Sequence, residues 1–414
     1  MSDARRSVPH AGGVPAFDAA TVAAVTDGEV LLAGSQPIRG GAVDSRRVVP
    51  RVCFFALPGA RTDGHNFLAE AARAGAAALV VTRPLVATAL SMIEEAAGGS
   101  GRVTVVRVSD GLAALHALAR AWRDRLRPLV IGVTGSIAKT STKEAIAETL
   151  SECHRVLRSE GNENNEIGVP LTLLRLSPED EVAVLEMGMY VPGDIAQLAA
   201  LARPRIGVVT AVRGTHLSRA GSIEAIEAGK AELVEALPAD GTAILNADDP
   251  RTRRMSGRTR ARSITYGFSE DATVTAEEVE SLALDGMRFV LRAGGVRRRV
   301  VIPALGRHSV HNALAGAAAA LAVGMSVESI ERGLRRGFRA PHRTALLEAG
   351  DWRILDDSYN AAPDSMAAAL ELLAALPGRR IAVLGEMLEL GDGAWEAHRQ
   401  VGQLASVVAD LLVV

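Results

Sequence analysis

The residues between positions 132 and 144 have the types and the spacing of a loop that binds phosphate. They read GVTGSIAKTSTKE, and they lie between an apolar strand at 129–131 and a helix-forming run at 143–150. Backbone N–H groups at the start of such a helix carry partial positive charge and hold phosphate oxygens. Lys139 would then reach the terminal phosphates of a nucleotide, and the Thr140 hydroxyl would bind Mg2+. The alternative is an ordinary turn between a strand and a helix.

One residue of this loop departs from the usual pattern. Ala138 stands directly before the lysine, at a position that is normally glycine. If the backbone there has a positive φ, the Cβ of Ala138 costs on the order of 1–2 kcal/mol and crowds the phosphates. We therefore expect replacement of Ala138 by glycine to raise the affinity for nucleotide.

Three further polar residues follow apolar strands or lie on a charged helix. Glu186 ends a strand at 182–185, and a carboxylate there suits Mg2+, which prefers one or two carboxylates together with phosphate oxygens and water. An N-cap or a surface acid is the alternative. His216 follows a strand at 206–210, although a single histidine is more often structural or exposed. Lys230 has the pattern of a solvated charge on a helix.

A fourth polar group begins at Asp356, in the sequence DDSYN that directly follows a predicted strand at 352–355. Its position at a strand end suits contacts with a substrate or a nucleotide. An Asx turn before the helix that opens at Pro363 is the alternative interpretation.

Composition excludes several classes of protein. The 414 residues are 48% hydrophobic and 23% charged, with a net charge of −2, which is typical of a soluble globular chain. No basic excess indicates nucleic acid or an anionic membrane as a partner. The two cysteines form no CxxC motif, and the first 17 residues contain no apolar signal segment. The longest apolar stretch, 313–325, is shorter than a membrane span. We therefore expect a cytoplasmic protein.

The order of the predicted elements indicates an α/β protein of three domains. A flexible leader at 1–16 precedes a small α/β domain at 17–125. The central domain at 126–338 has a doubly wound, mainly parallel sheet that carries the phosphate loop, because strands and helices alternate along it. An alternating pattern at 272–303 predicts an antiparallel ribbon within that domain. A Rossmann-like domain at 339–414 follows. Its last predicted element is a strand at 409–414.

Taken in order, the motifs of the chain resemble those of the Mur ligases, ATP-dependent amide-forming enzymes of peptidoglycan synthesis. The resemblance covers residues 17–414. It is closest to the branch that joins D-alanyl-D-alanine to UDP-N-acetylmuramoyl tripeptide. Besides the phosphate loop, the motifs are DSRRVVP at 44–50, FALPG at 55–59, DGHNF at 63–67, GNENNEIGVP at 161–170, EMG at 186–188, NADDP at 246–250, GRHSVHN at 306–312, DDSYNAAPDSM at 356–366 and GEMLELG at 385–391.

The resemblance implies an ADP-forming ligase that acts in two steps. The carboxylate of the tripeptide attacks the γ-phosphate of ATP, and the amine of D-alanyl-D-alanine then displaces phosphate from the acyl phosphate. Such an enzyme makes peptidoglycan precursors for cell-wall biogenesis, cell shape and division. The implied cofactors are ATP and Mg2+, and the family expectation is a monomer.

The resemblance also assigns roles to individual residues. The implied catalytic residues are Lys139, Glu186, His216 and Lys230. The implied metal-binding residues are Thr140, Glu186, His216 and, if its amine is carbamylated, Lys230. The implied ATP contacts are Gly135, Ser136, Ile137, Ala138, Lys139, Thr140, Ser141, Asn312, Arg343 and Asp357. The implied contacts with UDP-sugar or peptide are Asp44, Ser45, Arg46, Asn164, Asn165, Tyr359 and Asn360.

Several positions differ from the family's usual pattern. The sequence AVRGTH at 211–216 stands where the family more often has NIGPAH, and Ser309 occupies a common asparagine position. The stretch that completes the family's third domain is missing after Val414, so we expect that domain to be incomplete. Two other hypotheses remain: a Mur-type ligase for another amino acid, and a nucleotide-binding relative that has lost catalysis.

Overall fold

The computed structural model describes residues 16–59, 62–214 and 221–414. The chain forms two compact units. The first contains the residues up to Arg127 together with Leu173–Glu179, and the second contains Pro128–Thr172 and Asp180–Val414. Most of the predicted leader lies outside the described residues. No helix within the described ranges is both long and apolar enough to cross a membrane.

The first unit is built on a five-stranded sheet. Its strands are β1 (Glu29–Leu32), β2 (Gly41–Ala42), β3 (Cys53–Phe55), β4 (Ala78–Val81) and β5 (Thr104–Arg107). Their order is β1-β5-β4-β3-β2, and every pair except the antiparallel β1–β5 is parallel. The accompanying helices are α1 (Ala19–Thr26), α2 (Leu68–Arg73), α3 (Ala87–Ala96) and α4 (Gly111–Leu126). All residues of β3 and β4 are buried, as is typical of strands in a parallel sheet.

A nine-stranded sheet forms the centre of the second unit. Its strands are β6 (Leu129–Thr134), β7 (Val156–Arg158), β8 (Val182–Glu186), β9 (Ile206–Val209), β10 (Thr242–Asn246), β11 (Arg262–Gly267), β12 (Val274–Ser281), β13 (Met287–Ala293) and β14 (Val296–Ile302). Their order is β14-β13-β12-β11-β10-β9-β6-β8-β7. All pairs from β7 to β12 are parallel, and the predicted antiparallel ribbon is confirmed as β12–β14 at one edge.

Among the described residues, seven helices accompany this sheet. They are α5 (Lys139–Leu150), α6 (Gly168–Leu174), α7 (Asp194–Ala202), α8 (Ile223–Glu235), α9 (Pro250–Arg254), α10 (Arg307–Val323) and α11 (Val327–Arg335). Most of the apolar stretch at 313–325 lies in α10, whose residues from Ala313 to Ala320 are buried and which packs against α5. A Cβ at Gly316 would lie only 3.0 Å from the carbonyl oxygen of Ala145, so this close approach requires a small residue.

The last part of the second unit carries two short sheets. Its elements are the antiparallel pair β15 (Ala345–Ala349) and β16 (Trp352–Asp356), the parallel pair β17 (Ile381–Val383) and β18 (Leu411–Val413), and the helices α12 (Pro363–Ala374) and α13 (Ala394–Val408). The strand and helix predicted at 352–355 and from Pro363 are both confirmed. Met366, Leu370 and Ala405 belong to its small apolar core.

Candidate active site

The predicted phosphate loop connects β6 to α5. Ala138 forms the N-terminal end of α5 with a left-handed backbone, φ 62° and ψ 7°, and its side chain makes no cap. The condition for strain at this position is therefore met, because an L-residue with a side chain is disfavoured at positive φ. The Lys139 ammonium group folds back and donates to the carbonyl oxygen of Gly135 at 2.9 Å.

The end of β9 holds the loop in shape. The Thr210 hydroxyl donates to the carbonyl oxygen of Ile137 at 2.6 Å, and the Ser136 hydroxyl exchanges two 2.9 Å hydrogen bonds with the backbone of Arg213. A Cβ at Gly135 would overlap the Thr210 hydroxyl. The loop is therefore fixed by its neighbours in the sheet, which keeps its backbone N–H groups oriented without a reorganisation cost.

Glu186 is the last residue of β8 and is 2% exposed. The interpretation of Glu186 as a surface acid is therefore wrong, and the N-cap of the next helix, α7, is Gly193. Its Oε1 accepts a 2.9 Å hydrogen bond from the side-chain amide of Asn164, and its backbone N–H donates to the Ser159 hydroxyl at 3.1 Å. The other carboxylate oxygen, Oε2, is buried and has no hydrogen-bond partner among the residues that the structure describes. A buried carboxylate oxygen without a partner is costly unless a cation or a donor joins it.

Lys139 is affected by the charges of Glu186 and Arg343, and Lys230 is affected by the charge of Lys139. Desolvation lowers the pKa of Lys139, with the Arg343 charge acting in the same direction and the Glu186 charge opposing both. Lys230 is only 4% exposed, so its interpretation as a solvated charge is wrong. Burial, and then the charge of Lys139, place the pKa of Lys230 well below its ordinary range.

Two of the predicted nucleotide contacts are Arg343, which precedes β15, and Asp357, which follows β16. The Arg343 guanidinium lies over the Tyr359 ring, 4.2 Å from its centre. The Asp357 carboxylate accepts a 2.9 Å hydrogen bond from the backbone of Thr344, while burial raises its pKa. Asp356 does form the Asx turn considered as an alternative, because its carboxylate accepts from the Ser358 backbone at 3.0 Å. The side-chain oxygen of Asn360 accepts a 3.0 Å hydrogen bond from the next backbone N–H.

A cavity of about 560 Å³ opens beside the loop. Residues of α12 and of the central sheet line it, together with Ala138 and Asn312. The Asn312 side chain also accepts a 3.0 Å hydrogen bond from Thr142 of α5, so it is held against the helix that carries the loop. This volume is within the usual range of small-molecule sites.

The far wall of the cavity contains residues that the sequence reasoning did not assign to the site. The Arg307 guanidinium lies 4.0 Å from the centre of the Phe268 ring. His311 bonds Asn246 at 3.1 Å. Burial opposes ionisation of Asp248, but hydrogen bonds from His311 and Ser269 keep its pKa below the usual range. The signal was available, because these residues belong to or lie near the motifs at 246–250 and 306–312 that carried the resemblance.

Family models match most of the chain. The Mur ligase family, catalytic domain, matches residues 37–123, the Mur ligase middle domain matches 133–320, and the Mur ligase, glutamate ligase domain, matches 342–414. A UDP-N-acetylmuramoyl-tripeptide–D-alanyl-D-alanine ligase of Mycobacterium tuberculosis is 40% identical over 378 residues, which cover 87% of this chain and 74% of that protein. The chain belongs to the Mur ligase family.

Solved structures agree with this membership. A crystal structure of MurF from Acinetobacter baumannii superposes on this Mur ligase with a TM-score of 0.85 at 30% identity, covering 96% of this chain and 85% of that one. MurF from Thermotoga maritima, solved in complex with ADP, gives a TM-score of 0.78 at 29% identity, with 91% and 84% covered. The predicted three-domain α/β fold class is thereby confirmed.

Not all predicted site residues of this Mur ligase can be compared with the structure. His216 lies outside the described residues. Within the described part of the chain, no group of three His, Cys, Asp or Glu side chains is placed to hold a metal ion. That finding is compatible with Mg2+, which takes few carboxylates and completes its shell with phosphate oxygens and water.

Several of the remaining predicted residues have local partners. Asn165 accepts a 2.9 Å hydrogen bond from Gly168 and so caps α6. In the first unit, Asp44 pairs with the Arg46 guanidinium at 2.7 Å and caps the short turn that begins at the buried Ser45. Thr140 and Ser141 lie in the first turn of α5 and are half-buried.

Proposed function

We propose that this Mur ligase joins D-alanyl-D-alanine to UDP-N-acetylmuramoyl tripeptide, with ATP converted to ADP and phosphate. The proposal rests on the enzymes that it resembles and on one observation at the site. Within the described part of the chain, Oε2 of Glu186 has no hydrogen-bond partner, and the negative charge of Glu186 acts on Lys139 of the phosphate loop. A free carboxylate oxygen beside a phosphate-loop lysine suits a site that holds a metal–nucleotide complex.

The chemical problem is to bring two anions together. The tripeptide carboxylate must approach the γ-phosphorus of ATP, so the negative charge of both groups has to be balanced. The loop N–H groups and the Lys139 ammonium would hold the phosphates, and the loop's bonds to Thr210 and Arg213 keep these donors in place. Attack then forms the acyl phosphate and releases ADP as the leaving group.

The second step needs an uncharged amine on D-alanyl-D-alanine. That amine attacks the acyl carbon, and phosphate leaves from the tetrahedral intermediate. Lys230 would serve this side of the site after its neutral amine has reacted with CO2, because the resulting carbamate carries a negative charge. Burial favours the neutral amine that this reaction requires.

The partnerless oxygen of Glu186 fits a divalent cation, and we assign Mg2+ to Glu186 and Thr140. When bound, Mg2+ would neutralise charge on the transferring phosphoryl group. Asn164 orients the Glu186 carboxylate through its 2.9 Å hydrogen bond. Arg343 would reach the nucleotide, and Asn312 would contact its base within the cavity that both Asn312 and Ala138 line.

Phosphate release from ATP tests this function directly. Purified protein should release phosphate only when UDP-N-acetylmuramoyl tripeptide and D-alanyl-D-alanine are both present, and Glu186→Gln should abolish the release. Release with another amino acid but not with D-alanyl-D-alanine would instead identify a ligase for that amino acid. No release with any amine, together with measurable ATP binding, would indicate a relative that has lost catalysis.

A further inference from the structure

Lys143 is a buried cation that the proposed mechanism does not use. It lies on α5, one turn after Lys139, and its side chain is 0% exposed. Its ammonium group donates to the carbonyl oxygen of Ser159 at 2.6 Å and pairs with Glu144 at 2.8 Å. A buried ion pair is seldom a net source of stability, since desolvation of the charges offsets their attraction. The position of this lysine therefore requires another explanation.

The residue that Lys143 holds is directly bonded to Glu186. The Ser159 hydroxyl accepts the backbone N–H of Glu186 at 3.1 Å, and the Ser159 N–H donates to the carbonyl oxygen of Val184 at 3.1 Å. Ser159 thus connects α5 to the end of β8. No other side chain of α5 makes a described hydrogen bond to Ser159.

The turn after Ser159 carries the second partner of Glu186. Asn164 donates to the Glu186 carboxylate at 2.9 Å, and its carbonyl oxygen accepts the Gly188 N–H at 2.7 Å. Ser159 therefore fixes the backbone of Glu186, and Asn164 orients its carboxylate. Both residues belong to the segment that Lys143 fixes against the phosphate-loop helix.

We propose that Lys143 is a positioning residue that sets the distance between the phosphate loop and the Glu186 carboxylate. Its role at a metal–nucleotide site rests on the proposed function. Lys139 and Lys143 are on the same helix. The position of the loop is therefore linked to Ser159 through the Lys143 hydrogen bond, and Ser159 is linked to Glu186 by a second hydrogen bond. Substitution of Lys143 alters where the carboxylate lies without removing any group that touches the nucleotide.

The first test compares Lys143→Met with Glu148→Gln. Methionine keeps an unbranched side chain in the buried site but cannot donate to Ser159. Glu148 belongs to the outer part of the same ion network, where it pairs with Arg158 at 2.6 Å, and it makes no bond to Ser159. Lys143→Met should lower kcat about 10–100-fold, as for other groups that orient metal ligands. It should also raise the Mg2+ concentration for half-maximal rate, while the KM for ATP changes less than about threefold.

The second test measures how firmly the Glu186 backbone is held, and it does not depend on enzyme activity. Amide hydrogen exchange of the protein alone reports on the Glu186 N–H. Ser159→Ala, which keeps Lys143 intact, removes the acceptor of this N–H, and its exchange should quicken about tenfold. Lys143→Met should have the same effect at Glu186, Lys143→Arg should restore protection in part, and Glu148→Gln should change nothing there.

The outcomes separate this proposal from the proposed function. Quickened exchange at Glu186 in Lys143→Met supports the positioning role even if the wild-type protein releases no phosphate. Unchanged exchange at Glu186 in folded Lys143→Met would overturn it. Where Lys143→Met does not fold, Ser159→Ala decides: an unchanged Mg2+ requirement in that variant contradicts the proposal.

Discussion

The positive charge of Lys139 acts on Lys230 and opposes protonation of its amine. Burial is the larger cause, and together the two effects place the pKa of Lys230 well below its ordinary value of 10.5. A lowered pKa increases the fraction of the amine that is neutral and reactive at a given pH. Burial thus lowers the pKa of both lysines, and the charge of Lys139 lowers that of Lys230 further.

The first prediction concerns stability. In the unfolded chain Lys230 binds a proton up to pH 10.5, whereas in the folded protein it releases that proton at lower pH. The unfolded state therefore binds more protons between the two pKa values, and stability rises with pH across that window. Lys230→Met should raise the unfolding free energy at pH 7 by about 1–3 kcal/mol. Denaturant unfolding in CO2-free buffer measures this difference, which should shrink as pH approaches 10.5.

The second prediction concerns carbamylation of the same residue. Because the neutral amine reacts with CO2, removal of bicarbonate should lower kcat, and its return should restore the rate. The carbamate carbon should be visible by NMR after exposure to labelled bicarbonate. Lys230→Ala should lose at least about 100-fold in kcat, with partial recovery in millimolar acetate or formate. A wild-type rate independent of bicarbonate, together with no carbamate signal, would argue against this modification.

The third prediction concerns Ala138. Its φ of 62° costs a residue with a side chain about 1–2 kcal/mol, part of which glycine recovers. Ala138→Gly should therefore stabilise the protein by up to about 1 kcal/mol and lower the KM for ATP. Ala113→Gly is the matched control, since Ala113 is an exposed residue of α4 and the change there should destabilise by about 1 kcal/mol. Equal effects at the two positions would show that the left-handed backbone is not strained.

Local signals explain what the sequence could predict. The strand before the phosphate loop, the end of β8 at Glu186 and the alternation of β13 and β14 each depend on a few neighbouring residues. Such patterns reflect the periodicity of strands and helices, so they can be recognised in a single sequence. The position of Glu186 at the carboxyl edge of a parallel sheet followed from the same reasoning.

Distant contacts explain what the sequence could not predict. Lys230 lies among charged residues in EAIEAGKAE, which is the pattern of an exposed helix, yet its side chain is buried. The bond from Lys143 to Ser159 joins residues of different elements, and it exists only because β7 pairs with β8. No local periodicity reports such a pairing, since it is decided by the packing of the whole sheet.

The fourth prediction concerns the first residue of the phosphate loop. A Cβ at Gly135 would overlap the Thr210 hydroxyl, so Gly135→Ala must displace either the loop or the end of β9. We expect a loss of about 1–3 kcal/mol in stability and at least a tenfold rise in the KM for ATP. Gly402→Ala is the control, because a Cβ there meets nothing within 4 Å and lies on α13. That change should stabilise the protein slightly. Normal ATP binding by Gly135→Ala would contradict the rigid packing of the loop.

The fifth prediction concerns the ion pair between Arg213, which follows β9, and Asp364 of α12, the helix that lines the cavity. The Arg213 guanidinium bonds the buried Asp249 at 2.5 Å and reaches Asp364, in the first turn of α12, at 3.1 Å. Because Arg213 and Asp364 are both about half exposed, their pair should contribute only about 0.2–1 kcal/mol. A double-mutant cycle on Arg213→Ala and Asp364→Ala should show this coupling in the KM for ATP, and it should fade at high salt. The exposed pair of Arg399 and Glu396 on α13 is the control, and its cycle should show no coupling in that KM. Additive effects of the first two substitutions at low salt would mean that Asp364 does not hold α12 over the cavity.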